Sequence, residues 1–227
     1  KEPNNLKKIN QNDSFELKKS KTLDNALIRE NFQRNFANNK LMNFDDNDLI
    51  LINDLDEIPD LSNFTYKNKI TIFKQKMLYF KFNLMYKNLS WAGSKICKKK
   101  DFISSQWLRN VKTRKYPLWR FDIFFSDKKY NNINIVENGG WHFTNIKTAE
   151  EIHLKMKSFL HHYEYENSGL NSESIKKLIK EKKALYNYNV DQRADKWSKN
   201  SELEKIDLDL LPNYLKINKD KYNNWID

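Results

Sequence analysis

Hydrophobic and polar positions recur with different periods along the chain, and the changes of period mark its predicted elements. Residues 1–20 are polar, rich in Lys and Asn and without sustained periodicity, and read as a loop or a poorly ordered lead-in. Thr22 is placed to cap a helix reaching about Asn38, in which Leu23, Leu27, Ile28, Phe32 and Phe36 form an apolar stripe and Arg29, Glu30, Gln33 and Arg34 occupy another side. Leu49-Ile50-Leu51-Ile52 is an unbroken apolar run, the pattern of a strand buried on both faces as in a parallel sheet. Residues 70–86 mix β-branched and aromatic side chains in partial alternation and predict one or two strands; 91–96 predicts another short one. Two more are predicted at 133–137 and 141–144, separated by Gly139-Gly140.

Helices fill the intervals. Ser104 or Ser105 caps one running through Trp107, Leu108 and Val111. Thr148 and Glu151 have the spacing of a capping box and start another, with Ile152, Met156, Phe159 and Leu160 on its buried side and the polar group 161–166 at its end. Gly169 and Asn171 break the pattern before a helix from Ser172 to about Tyr186. Beyond Val190 the chain is mostly polar, with Trp197, Tyr214 and Trp225 as isolated anchors, and irregular structure is expected. The chain reads as α/β and by default as one domain, with the part after the break at Gly169, residues 169–227, as a helical and irregular extension packed on residues 1–168.

Charge alters this picture little. The 227 residues carry a formal charge of +11, but only six are Arg, and Lys spread along the whole length is the signature of a solvated surface more than of phosphate and base recognition. Nucleic acid is therefore not an expected partner, whereas a basic rim can attract an anionic nucleotide or an acidic lipid surface. The single cysteine, Cys97, excludes an internal disulfide and a thiolate metal cluster. No apolar run has the length of a membrane span and no signal segment opens the chain, so a reducing cytoplasm is the expected location, with peripheral contact at the inner membrane as an option.

The candidate chemistry sits after the first strand, at Asn53-Asp54-Leu55-Asp56-Glu57-Ile58-Pro59. Open α/β sheets bind ligands beyond the carboxyl ends of their strands. In an extended chain Asp54 and Asp56 point the same way while Leu55 turns toward the core, and two convergent carboxylates suit Mg²⁺ or Mn²⁺ with substrate phosphates completing the shell. Pro59 restricts Ile58 to extended geometry, which holds the acids at a rim.

Taken in order, Glu30 with Gln33-Arg34-Asn35, the 52–59 string, Trp91-Ala92-Gly93, Gly140-Trp141-His142-Phe143-Thr144, and the Lys155, Lys157-Ser158-Phe159 and His161 group with Glu164 resemble glycosyltransferase family 17, across roughly residues 1–168. Its best-known member is the β-1,4-mannosyl-glycoprotein 4-β-N-acetylglucosaminyltransferase. The resemblance implies a GT-A-like, Rossmann-like fold with a mixed, mostly parallel sheet flanked by helices. It also implies a nucleotide-sugar donor such as UDP-GlcNAc, a divalent metal, inversion at the anomeric carbon, and a glycan or lipid-linked glycan acceptor. Family members begin with an earlier apolar strand, and Lys1-Glu2-Pro3 reads as starting just after it.

Carried over by position, Asp54 and Asp56 are the metal ligands, with Glu57 beside them and His161 as a further ligand candidate. Glu164 and Glu137 are the candidates for the base that takes the acceptor hydroxyl proton, with Glu164 preferred. Trp141 is a candidate stacking face, His142 a hydrogen-bonding group, and Arg34 with Glu30 a donor-pocket pair; each also has a purely structural reading, as core aromatic, buried hydrogen bonder and surface ion pair. A non-catalytic glycan-binding or scaffold domain of the same fold is the alternative function.

Overall fold

The computed structural model describes residues 2–158, 162–190, 196–197 and 201–227. It is an α/β chain built on a seven-stranded mixed sheet with helices beside it. The strands are β1 (Leu49–Ile52), β2 (Glu57–Pro59), β3 (Ile70–Tyr79), β4 (Leu84–Lys98), β5 (Ile133–Val136), β6 (Gly140–Thr144) and β7 (Leu203–Lys205). Their order is β1-β4-β3-β6-β2, with β5 on β3 and β7 on β4. The described helices include α1 (Phe15–Phe36), α2 (Ser105–Asn110), α3 (Ala149–Ser158), α4 (His162–Asn167), α5 (Ser172–Lys180) and α6 (Asn213–Ile217).

The expectation of a mostly parallel sheet does not hold. β3 and β6 run parallel, but β1 with β4, β2 with β6, and β4 with β7 are antiparallel. β1 ends the strand order instead of lying inside a parallel sheet, and only Ile50 in it is fully buried. An apolar run in an edge strand gives the same sequence signal as one in a central strand, because periodicity does not report the number of neighbours.

Two compact units are interleaved along the chain. The first comprises residues 1–52, 67–71 and 95–134. Its α1 begins at Phe15, capped by Ser14, so the last six residues of the polar lead-in are helical and Thr22 lies inside the helix. The apolar stripe of that helix is not a core face: Leu27, Phe32 and Phe36 are exposed. At its end, Asn35 and Asn38 accept backbone N–H groups from Gln106 and Ser105, both at 3.1 Å, and so satisfy free donors in the first turn of α2, which Ser104 caps. The buried ammonium of Lys95 donates to the carbonyls of Arg109 and Val111 at the other end of the same helix.

The second unit comprises residues 53–66, 72–94 and 135–227. Successive residues of β3 face opposite ways, and each side has its own core. Met77 and Tyr79 join Ile152 and Met156 of α3, Tyr165 of α4, and Ile175 and Leu178 of α5. Leu78 instead meets Ile206, Leu211 and Leu215 with Phe82, Trp141, Phe143 and Tyr222 against them. The C-terminal segment expected to be irregular thus supplies β7, α6 and half of a core. α5 stops at Lys180, and its N-cap is Asn171. The capping box at α3 forms as predicted: Thr148 N–H donates to Glu151 Oε2 at 2.9 Å and Glu151 N–H to Thr148 Oγ1 at 3.3 Å.

Candidate functional site

Residues 54–57 form a tight turn and not an extended segment. Glu57 N–H donates to Asp54 O at 3.0 Å, Asp54 N–H donates to Glu57 Oε2 at 3.0 Å, and the Asn53 amide donates to the carbonyls of both residues. Two-residue alternation therefore fails here, and Leu55, expected to turn inward, is fully exposed. The residue that turns inward is Glu57, buried with its Oε1 accepting the Trp91 indole N–H at 2.8 Å.

The strings at 54–59, 91–93 and 140–144 come together around that carboxylate. β2 pairs with β6 in the register Glu57 with His142, Ile58 with Trp141 and Pro59 with Gly140. Trp91 stacks on His142 with centroids 4.7 Å apart and planes at 27°. Gly93 leaves room for the acid, since a Cβ there would lie 2.7 Å from Glu57 Cδ and 2.3 Å from Gln75 Oε1. Gly140 has φ +134° and a Cβ on it would meet Ile58 O at 2.1 Å, so only glycine lets β2 approach.

Asp56 follows the inward turn but remains half-exposed. Its Oδ2 lies 3.4 Å from His142 Nε2, while His142 Nδ1 is buried without a hydrogen-bond partner among the described residues. Burial pushes the Asp56 carboxyl up, but the hydrogen bond and charge of His142, with Lys155 nearby, outweigh it and hold the group below its ordinary value. Lys155 donates to Asn145 Oδ1 at 2.8 Å, and its ammonium is shifted down by burial against the opposing pull of Asp56.

Asp56, Asn145, Lys147 and Lys155 form the polar edge of a cavity of about 530 Å³. Phe82, Phe143, Tyr214, Tyr222 and Trp225 supply its aromatic wall. Aromatic faces beside a few convergent polar groups suit a ring with an apolar face and a hydroxylated edge, as in a sugar. Of this lining, sequence reasoning assigned a role only to Asp56, and Phe143 stood in a string without one. Lys155 was legible only as part of a string, and Tyr214 and Trp225 only as anchors.

The other predicted residues have different surroundings. Trp141 donates its indole N–H to Leu210 O at 2.7 Å and packs behind the cavity wall. Glu137 pairs with Lys74 at 2.7 Å, and Glu164 accepts from the Trp197 indole at 3.5 Å; neither lines the cavity. Glu30 and Arg34 belong to the first unit, where they pair at 2.7 Å and Arg34 also donates to Gln106. His161 lies outside the described residues.

Comparison with family models, with curated proteins and with solved structures gives no match. Among the described residues no three His, Cys, Asp or Glu side chains form a metal-ligating group. Mg²⁺ and Mn²⁺ are commonly held by one or two carboxylates when phosphates and water complete the shell, and a half-exposed, ionised Asp56 beside a cavity fits that donor type. No helix among the described residues is long and apolar enough to cross a membrane.

Proposed function

We propose that the chain is a metal-dependent, inverting glycosyltransferase, with a nucleotide sugar such as UDP-GlcNAc as donor and a glycan as acceptor. The observation that carries this reading is the convergence of the 54–59, 91–93 and 140–144 strings on one buried carboxylate, with Asp56 turned to an aromatic-walled cavity. Three of the strings that carry the resemblance meet there, while the string at 30–35 belongs to the first unit.

Asp56, with Asp54 in the same turn, would hold the cation, which supplies Lewis-acid neutralisation of the leaving diphosphate. His142 positions the Asp56 carboxylate, and Glu57, locked between Trp91 and the Asp54 amide, keeps the turn in shape. Lys155 and Lys147 bring positive charge to the cavity edge, where an anionic donor gains most from it. The aromatic wall offers a stacking face to the sugar. Inversion needs one base on the face opposite the leaving group. Glu164 in α4 is preferred over Glu137, whose carboxylate is engaged by the Lys74 ammonium at 2.7 Å.

The test is a donor-hydrolysis screen of the protein with Mn²⁺ across nucleotide sugars. One donor is expected to release its nucleoside diphosphate, with the rate falling by about 10²-fold or more in Asp56→Asn. The cognate diphosphate with Mn²⁺ at about 100 times its Kd should raise Tm by roughly 5–10 °C. Absence of both effects removes the enzyme reading. The five aromatic rings of the cavity would then favour a glycan-binding domain, recognised by oligosaccharide binding that survives EDTA.

A further inference from the structure

We propose that the first unit carries a docking surface for anionic membrane lipid, formed by the loop between α2 and β5, independently of the glycosyltransferase reading. Its stem is tied by backbone hydrogen bonds from Lys112 N–H to Lys128 O at 2.8 Å and from Tyr116 N–H to Tyr130 O at 3.2 Å, and Trp107 of α2 donates its indole N–H to Asp127 O. Inside the stem, buried Tyr116 lies under the Arg114 and Arg120 guanidinium groups at 4.7 and 5.4 Å, and Asp122 bridges Arg120 and Lys129 at 2.8 and 2.6 Å. These contacts hold the loop in one shape. Between residues 118 and 125 the exposed side chains are apolar: Leu118, Trp119, Phe121, Phe124 and Phe125 are all exposed, Trp119 by 74% and Phe125 by 92%.

Five large apolar side chains within eight residues, exposed together on a braced loop, are not the scattered singles of an ordinary surface. What surrounds them decides the occupant. Lys112, Arg114, Lys115 and Lys128 are exposed around the base of the loop, against one exposed acid, Asp127. A Trp/Phe tip ringed by long basic side chains matches the lipid interface, where aromatic rings enter at the headgroup level and cations meet anionic phosphates. Protein interfaces, by contrast, are depleted of Lys.

The experiment is co-sedimentation of the protein with vesicles of phosphatidylcholine containing about 30% phosphatidylserine and with pure phosphatidylcholine, in about 0.1 M salt. Binding is expected to the anionic vesicles and to fall by about tenfold or more in Lys115→Glu/Lys128→Glu, since each basic residue near the surface contributes about a threefold to fivefold gain. Trp119→Ser/Phe125→Ser should abolish binding while leaving the thermal midpoint unchanged, because neither side chain is buried. Failure to bind anionic vesicles, or equal binding by the Trp119/Phe125 variant, overturns the proposal. It is equally overturned if the protein is a dimer in solution that this variant converts to monomer, which would make a second copy the occupant.

Discussion

The indole N–H of Trp91 and the buried carboxylate of Glu57 meet at 2.8 Å, and the same indole lies face to face with His142. One side chain from β4 thus joins the acidic turn to the strand that follows Gly140. Trp91→Phe preserves the stacking face but removes the donor, leaving a buried carboxylate oxygen short of a hydrogen bond. A loss of about 1–3 kcal/mol is expected, read as a lowered midpoint in urea without a change of slope.

The two glycines beside this pair differ in what their substitution would meet. At Gly93 a methyl group runs into the ends of the Gln75 and Glu57 side chains, which can give way in part; Gly93→Ala should cost about 1–3 kcal/mol. At Gly140 it meets the backbone carbonyl of Ile58 and the residue sits at positive φ. Gly140→Ala should therefore cost more than Gly93→Ala, about 3 kcal/mol or more, with separation of β2 from β6. Parallel denaturation curves of the two variants check the order.

The Asp56 carboxyl is held below its ordinary value in the folded chain. A group depressed on folding adds stability that is full above its unfolded value and is lost as pH falls through the folded one. Asp56→Asn should therefore lower stability near pH 6, and the gap should close below about pH 4. Because the side chain is 41% exposed, screening keeps the gap under about 1 kcal/mol. A pH series of thermal midpoints for both proteins gives the comparison.

Thr148 and Glu151 cap α3, the helix that carries Lys155 to the cavity. Thr148→Ala should cost about 1 kcal/mol, or roughly 2–4 °C in Tm. If the cap also positions Lys155, affinity for the diphosphate should weaken in step. A calorimetric titration of this variant separates the two effects.

Local signals in the chain marked the elements that depend on neighbouring residues. The capping box at Thr148, a serine cap at 104 or 105, strands read at 133–137 and 141–144, and the need for glycine near Gly140 are all legible, because each is decided by bonds spanning a few positions. The start of α1 was not legible, since its first turns, rich in Lys, carry no sustained apolar period; Ser14 caps them all the same.

By itself, then, the sequence determined an α/β chain, several of its strands, the caps of α2 and α3, and an acidic cluster after β1, though not its turn. Tertiary structure alone decided which strands are neighbours, that the sheet is largely antiparallel, and that Glu57 turns inward while Leu55 faces solvent. It also decided that residues from 82 to 225 share one cavity wall with Asp56. The physical reason is range: caps and turns are set by hydrogen bonds between near neighbours, whereas pairing, burial and cavities are set by side chains far apart in sequence that compete for the same space.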